Sequence, residues 1–236
     1  MKIALIGYGA MGRLIERLAV ERGHEIVAVI DERNAGDDVN VLVGQLKNAD
    51  AAIDFSVAEA IVKNATACAK AGVALVVGTT GWLDRVDEIK AIVAENNAAF
   101  LYGANFSIGV NIFYKIVAAA GIAFKNFAEY EGFIEERHHS RKKDAPSGTA
   151  LKIKEIAEKT SGKTIETASV RAGNIPGTHT IGFAGQFDEI TLTHTARSRE
   201  GFAAGAVTAA EWIAGKQGFF EFTDVVDGII GEGNHG

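Results

Sequence analysis

A run near the middle of the chain, EERHHSRKKDAPSGTA from Glu135 to Ala150, gathers residues able to hold an anion and move a proton. Arg137, Arg141, Lys142 and Lys143 place four cations within seven residues, with His138 and His139 between them. Histidine and lysine can each give or take a proton at a reacting centre. Pro146, Ser147, Gly148 and Thr149 then open a stretch with helical spacing. The free N–H groups of a helix start, with the Ser147 and Thr149 hydroxyls, suit a carboxylate. The segment therefore predicts a pocket for an anionic, carboxylated substrate that takes up a proton. A plainer reading stands beside it: a solvated basic loop ahead of a capped helix, with Asp144 pairing with a neighbouring cation to tie the loop down. His138 and His139 are also metal-ligand types. Adjacent residues chelate one ion poorly, and no cysteine or third histidine is near in sequence, so no metal is expected.

A second constellation lies at the start. Gly7-Tyr8-Gly9-Ala10-Met11-Gly12 is a G-x-G-x-x-G turn between an apolar run and a helical pattern, and Asp31 ends the next apolar run. Gly7 permits a tight turn, Gly9 lets a pyrophosphate approach the backbone, and Gly12 lets helix and strand pack closely. Asp31 can accept hydrogen bonds from ribose hydroxyls. The turn could instead serve packing alone, but the matching acid points to a dinucleotide. A carboxylate at Asp31 favours the unphosphorylated ribose of NADH. Arg33, two residues on, could pair with a 2′-phosphate, while Glu32 opposes one. NADH is expected, with NADPH as the alternative. Two further loops end strand patterns: Gly78-Thr79-Thr80-Gly81 and Gly103-Ala104-Asn105-Phe106. Ligands of doubly wound sheets bind at that edge, so both are candidate nicotinamide contacts, or ordinary tight turns.

The elements that would hold these residues alternate through the first hundred positions. Strands are expected at 2–7, 25–31, 50–55, 73–77 and 99–102. Helices are expected at 11–22, at 57–71 with Ser56 as its cap, and at 84–96. Such alternation means a Rossmann-like α/β domain with a doubly wound parallel sheet. After about Phe106 the pattern changes: a helix at 110–120, strands through 129–195 interrupted by a helix at about 148–159, then a helix at 204–213. This reads as a dinucleotide-binding domain of 1–106 and 204–236 with an inserted, mixed α+β substrate-binding and oligomerisation domain of 107–203.

Bulk properties narrow the partners. The chain has 236 residues, 47% hydrophobic and 23% charged, with a net charge of −6. An acidic surface argues against a non-specific nucleic-acid binder. One cysteine, Cys68, rules out an intramolecular disulfide and fits a reducing cytoplasm. The apolar run at 2–7 is too short for an export leader, and no stretch is long enough to span a bilayer.

At His138–Ala150 the sequence closely resembles the H-H-x-x-K-x-D-A-P-S-G-T-A signature of dihydrodipicolinate reductases. The resemblance extends to Asp54-Phe55-Ser56, the Gly78–Gly81 turn, Ala104-Asn105-Phe106-Ser107, Gly109-Val110-Asn111 and Ser198-Arg199, and so covers nearly the whole chain. It implies reduction of a cyclic dicarboxylate to tetrahydrodipicolinate on the route to diaminopimelate and lysine. By resemblance, His138 would be proton donor and acceptor and Lys142 the general acid. His139, Ser147, Gly148 and Thr149 would bind substrate, while Thr79, Thr80 and the Gly103–Phe106 loop would meet the cofactor. It also implies a homotetramer built through the second domain's sheet. Two departures stand out. The family's glycine turn, G-x-x-G-x-M-G, is one residue longer than the turn here. The stretch between Asp31 and Asp50 is brief, which leaves the adenosine end more open. Rival readings lack their marks: no Lys-Pro pair is present, Cys68 lies mid-helix, and no nucleic-acid-recognition helix accompanies the basic run.

Overall fold

A computed structural model describes residues 1–34, 36 and 38–232. In chain order the elements are β1 Lys2–Ile6, α1 Ala10–Glu21, β2 Glu25–Ile30, α2 Val39–Leu46, β3 Ala51–Asp54, α3 Ile61–Ala71, β4 Ala74–Val77, α4 Val86–Glu95 and β5 Ala99–Tyr102. Then come α5 Ile108–Phe124, β6 Glu131–His138, α6 Gly148–Ser161, β7 Ile165–Arg171, β8 Thr178–Ala184 and β9 Glu189–Thr195, followed by α7 Glu200–Ile213, β10 Gly218–Glu221 and α8 Phe222–Glu232. The chain divides into two compact units, 1–107 with 202–236, and 108–201.

The first unit is a six-stranded sheet in the order β10-β5-β4-β3-β1-β2, all neighbours parallel. Strands β3 and β4 are buried at every position, as strands covered on both faces must be. Leu5, Ile53, Leu75, Val76 and Leu101 are fully buried or nearly so. Each such side chain contributes roughly 1.5–3 kcal/mol relative to exposure. Glycine sets the close approaches. Gly205 on α7 lies so near Phe106 that a Cβ there would fall 1.7 Å from the Phe106 carbonyl oxygen.

The second unit is a four-stranded sheet, β7-β6-β8-β9. Strand β6 is parallel to β7 and antiparallel to β8, and β8 is antiparallel to β9. Its core joins Phe113 and Val117 of α5 with Ile153 and Ala157 of α6 and with Ile134, Ile165, Ile181 and Phe183 of the sheet. Alternation along β6 sends Gly132, Ile134, Glu136 and His138 to the buried face and leaves Glu135 and Arg137 outside.

Several local expectations are corrected. Ser56 does not cap a helix at 57. Its hydroxyl turns back to Asp54, residues 58–60 form a 3₁₀ turn, and α3 begins only at Ile61. A 3₁₀ turn likewise precedes α4. Helix α2, with Asp38 as its cap, fills the brief stretch after Asp31, and β10 and α8 close the chain.

Candidate active site

The glycine turn builds a candidate site within the first unit. Gly7 has φ +86°, and a Cβ there would lie 2.4 Å from the Phe55 carbonyl oxygen, so only glycine fits. A Cβ on Gly12 would lie 2.3 Å from the Gly7 carbonyl oxygen. Gly9 is different: nothing lies within 4 Å of its ideal Cβ. It caps α1 without a side-chain bond, and the first turn holds no acid. Open space, free amides and an uncompensated helix N-terminus fit a pyrophosphate.

A cleft of about 610 Å³ runs past this turn, walled by Gly7, Tyr8, Gly9, Asp31, Glu32 and Arg33 among others. Arg33 folds back on Asp31, its Nε donating at 3.0 Å and its backbone N–H at 2.9 Å. These bonds hold the Asp31 carboxyl below the usual carboxylate range. Arg13 and Lys63 add two cations to the same wall. A second cleft of about 560 Å³ carries Gly9, Ala10 and Met11 opposite Gly78, Thr79 and Thr80. The loop Gly103–Phe106 walls neither cleft. Phe106 is buried against Phe55 and Phe222, with ring centroids 6.0 and 4.8 Å away.

Asp54 ties these loops together. Fully buried at the end of β3, it accepts from the Ser56 backbone N–H (2.8 Å), the Ser56 hydroxyl (2.6 Å), the Asn64 amide (2.8 Å) and the Thr79 hydroxyl (3.1 Å). Burial holds its carboxyl above the ordinary value, and the four donors offset only part of that rise. The loops after β3 and β4 are thereby fixed relative to each other.

The second unit builds a denser polar cluster. Glu136 and His138 both point to the buried face of β6, and Glu136 Oε2 touches His138 Nδ1 directly. Glu136 Oε1 receives the Arg171 guanidinium at 2.6 Å and the Ser147 N–H at 3.3 Å. Ser147 caps α6, its Oγ accepting from the Ala150 N–H, and lies 3.0 Å from His179 Nε2. The His138 and His179 rings meet edge-on at 5.1 Å. Burial pushes the His179 imidazole down to about 4, helped by the charge of His138. Lys142 pairs with Asp144 at 2.8 Å, so Asp144 does tie down the loop. The Thr149 hydroxyl faces Tyr114 of α5, which burial raises above its ordinary range. Gly148 is exposed, with nothing within 4 Å of its ideal Cβ.

Sequence order placed no third histidine near His138. The β6–β8 register brings one: Glu136 pairs with His179 across the sheet. Ligand atoms of Glu136, His138 and His179 all lie within 4.8 Å of one another. Arg171 pairs with the single carboxylate of this group, and Lys142 adds a further cation nearby. Glu136, Arg171 and His179 escaped the sequence reading, although the E-x-H spacing on one strand face was the available signal for the first. Arg13, Lys63, Asn64 and the buried role of Asp54 escaped as well. Among the described residues, no helix is long and apolar enough to cross a membrane.

Comparison with known proteins agrees across the chain. Residues 1–106 match the family profile described as dihydrodipicolinate reductase, N-terminus, and residues 109–226 match its C-terminus counterpart. A 4-hydroxy-tetrahydrodipicolinate reductase from Christiangramia forsetii is 40% identical, covering 98% of this chain and 99% of that protein. The Archaeoglobus fulgidus protein of the same name is 39% identical, covering 96% and 100%. Among solved structures, a dipicolinate-bound dihydrodipicolinate reductase from Paenisporosarcina sp. TG-14 superposes with a TM-score of 0.79 at 21% identity, over 95% of this chain and 98% of that one. With both halves matched in order and full-length relatives near 40% identity, the chain belongs to the dihydrodipicolinate reductase family.

Proposed function

We propose that this chain reduces 4-hydroxy-tetrahydrodipicolinate to tetrahydrodipicolinate with a reduced nicotinamide dinucleotide, in the route to diaminopimelate and lysine. The carrying observation is the cluster from His138 to Thr149: proton-carrying side chains beside the Ser147-capped N-terminus of α6, in a chain of this family. The dipicolinate named with the Paenisporosarcina structure is a small ring dicarboxylate, which supports a substrate of that class.

Loss of the 4-hydroxyl as water creates an unsaturated ring carbon conjugated to an imine, and the nicotinamide, when bound, would supply the hydride to it. Electron density moves toward nitrogen, and Lys142 delivers the proton as general acid. His138 serves as proton donor and acceptor. The Gly148 and Thr149 amides, with the Ser147 and Thr149 hydroxyls and His139, hold the carboxylates. Cations at this end also stabilise negative charge developing in the transition state.

The open Gly9, the bare start of α1 and the Asp31 carboxylate fit a dinucleotide. Gly7, Tyr8, Gly9, Ala10, Met11 and Gly12 hold its phosphates, and Asp31 its ribose. Gly78, Thr79 and Thr80, with Gly103, Ala104, Asn105 and Phe106, serve the nicotinamide end. NADH is favoured over NADPH on the strength of the Asp31 carboxylate. We also place the protein in the cytoplasm as a homotetramer. The lone buried Cys68 suits the first, and the face of the second sheet bearing Phe133, Ala168 and half-exposed Val170 suits the second. Analytical ultracentrifugation measures the assembly directly.

The test is oxidation of NADH and NADPH, run in parallel at 340 nm, with substrate generated by a coupled synthase. Oxidation that depends on substrate supports the reading, and none above background overturns it.

A further inference from the structure

We propose that Glu136 is the positioning residue of His138: its carboxylate holds the Nδ1 proton of the imidazole and so presents Nε2 as the atom that exchanges a proton with substrate. This rests on the role given to His138 above.

The geometry fixes the direction of the contact. Glu136 is fully buried, two residues before His138 on the same face of β6. Its Oε1 is committed to Arg171 and to the Ser147 N–H, while its Oε2 lies on His138 Nδ1. Arg171 is held in turn. The parallel register sets it beside His138, and it donates to the Asp144 carbonyl oxygen at 2.6 Å. Burial would raise the Glu136 carboxyl, but the bonds from Arg171 and Ser169 and the charges of His138 and Arg171 hold it below its ordinary value. An ionised carboxylate only accepts hydrogen bonds, so the shared proton sits on Nδ1. The neutral ring then carries its lone pair on Nε2.

A second observation concerns that nitrogen. A Cβ at Gly177 would lie 3.0 Å from His138 Nε2. Any side chain there would crowd the atom, and glycine leaves it clear.

The surroundings explain why a carboxylate is needed. Lys142 from the following loop and Arg171 from β7 both repel a proton on His138, and His179 from β8 is itself uncharged near neutrality. Burial pushes the His138 imidazole below its ordinary value, and Glu136 pushes it back up. Without that anion, the imidazole would gain its second proton only at a still lower pH.

The experiment combines ring NMR with kinetics. In ¹⁵N-labelled wild-type protein, with His138 signals assigned by difference against His138→Gln, the neutral ring is expected as the Nδ1-protonated tautomer. In Glu136→Gln, titration of that ring moves to lower pH, and the limb of the kcat/KM profile belonging to His138 moves with it. Activity of E136Q falls on the order of 10- to 100-fold, within the span of acid–base catalysis. Adding E136Q to His138→Gln costs less than about twofold more, since coupled residues are not additive. An Nε2-protonated wild-type ring overturns the proposal, and so does an E136Q variant whose His138 titration and pH profile stay in place. The wild-type tautomer decides the contact even if E136Q folds poorly. A wild-type protein without reductase activity overturns the role in the reaction while leaving the tautomer measurable, so the two failures are told apart.

Discussion

The ammonium of Lys142 lies 2.8 Å from Oδ1 of Asp144, so the proposed general acid is parked on a carboxylate of its own loop. Asp144 is half-exposed on its side chain, so the pair is weak and a substrate carboxylate can compete for the ammonium. Lys142→Ala is therefore expected to lower kcat by about 10²–10⁴-fold, the range of a lost general acid. The KM for NADH changes little. Lys143→Ala is the control, and steady-state kinetics on both variants separate the neighbours. Near-normal kcat in K142A would remove Lys142 from the chemistry.

Gly9 and Gly12 differ in what surrounds them, and alanine should tell them apart. Gly9→Ala adds a methyl group into open space at an extended backbone position. Its folding stability should stay within about 0.5 kcal/mol of wild type, while the cofactor KM rises at least tenfold. Gly12→Ala drives a methyl group against the Gly7 carbonyl and should cost about 1–3 kcal/mol. Urea unfolding and cofactor titration, run on both, check the contrast.

Asp31 and Arg33 form an ion pair, and on the proposed reading that pair, not either group alone, sets cofactor choice. NADH leaves the pair intact and takes Asp31 as its ribose partner. NADPH must draw Arg33 away from Asp31 toward its 2′-phosphate. Arg33→Ala should raise the KM for NADPH on the order of tenfold and that for NADH less than about twofold. A kcat/KM ratio strongly favouring NADPH in the wild-type protein would overturn the NADH preference.

Stability should fall with acid, with His179 as one cause. Its imidazole ordinarily titrates near 6.5, and burial lowers it to about 4 in the folded protein. Between those values the unfolded chain binds the proton and the folded chain does not. Its contribution is thus fully present above about pH 6.5 and is lost as pH falls toward 4, on the order of 3 kcal/mol in all. His138 and His194, also lowered by burial, act in the same direction. His179→Gln should flatten the acid side of the stability–pH curve without abolishing its slope, as read by thermal unfolding between pH 4 and 8.

The parallel sheet and its glycine turn were legible because their signals are local: an apolar run, a glycine and a helical pattern follow one another within a few residues. The same holds for the Ser147 cap. Pairings across distance were not legible. Glu136 reads as one acid in a charged run, and only the antiparallel register with β8 shows that it faces His179. Ser56 has the residue type of a helix cap, yet the buried Asp54 carboxylate needs its hydroxyl and takes it. Helix α2 went unread because its eight residues are too few to show a clear period.

The position of β10 bears on how the chain is made. This last strand pairs with β5, and Phe219 stacks on Phe100 at 5.1 Å. On the ribosome, β5 emerges long before its partner, since the whole of 108–201 is synthesised between them. For that interval the nascent sheet has an open apolar edge, a template for pairing with other chains. Ribosome-stalled chains ending before Gly218 should bind chaperones or aggregate through β5, and chains extended beyond Glu221 should not.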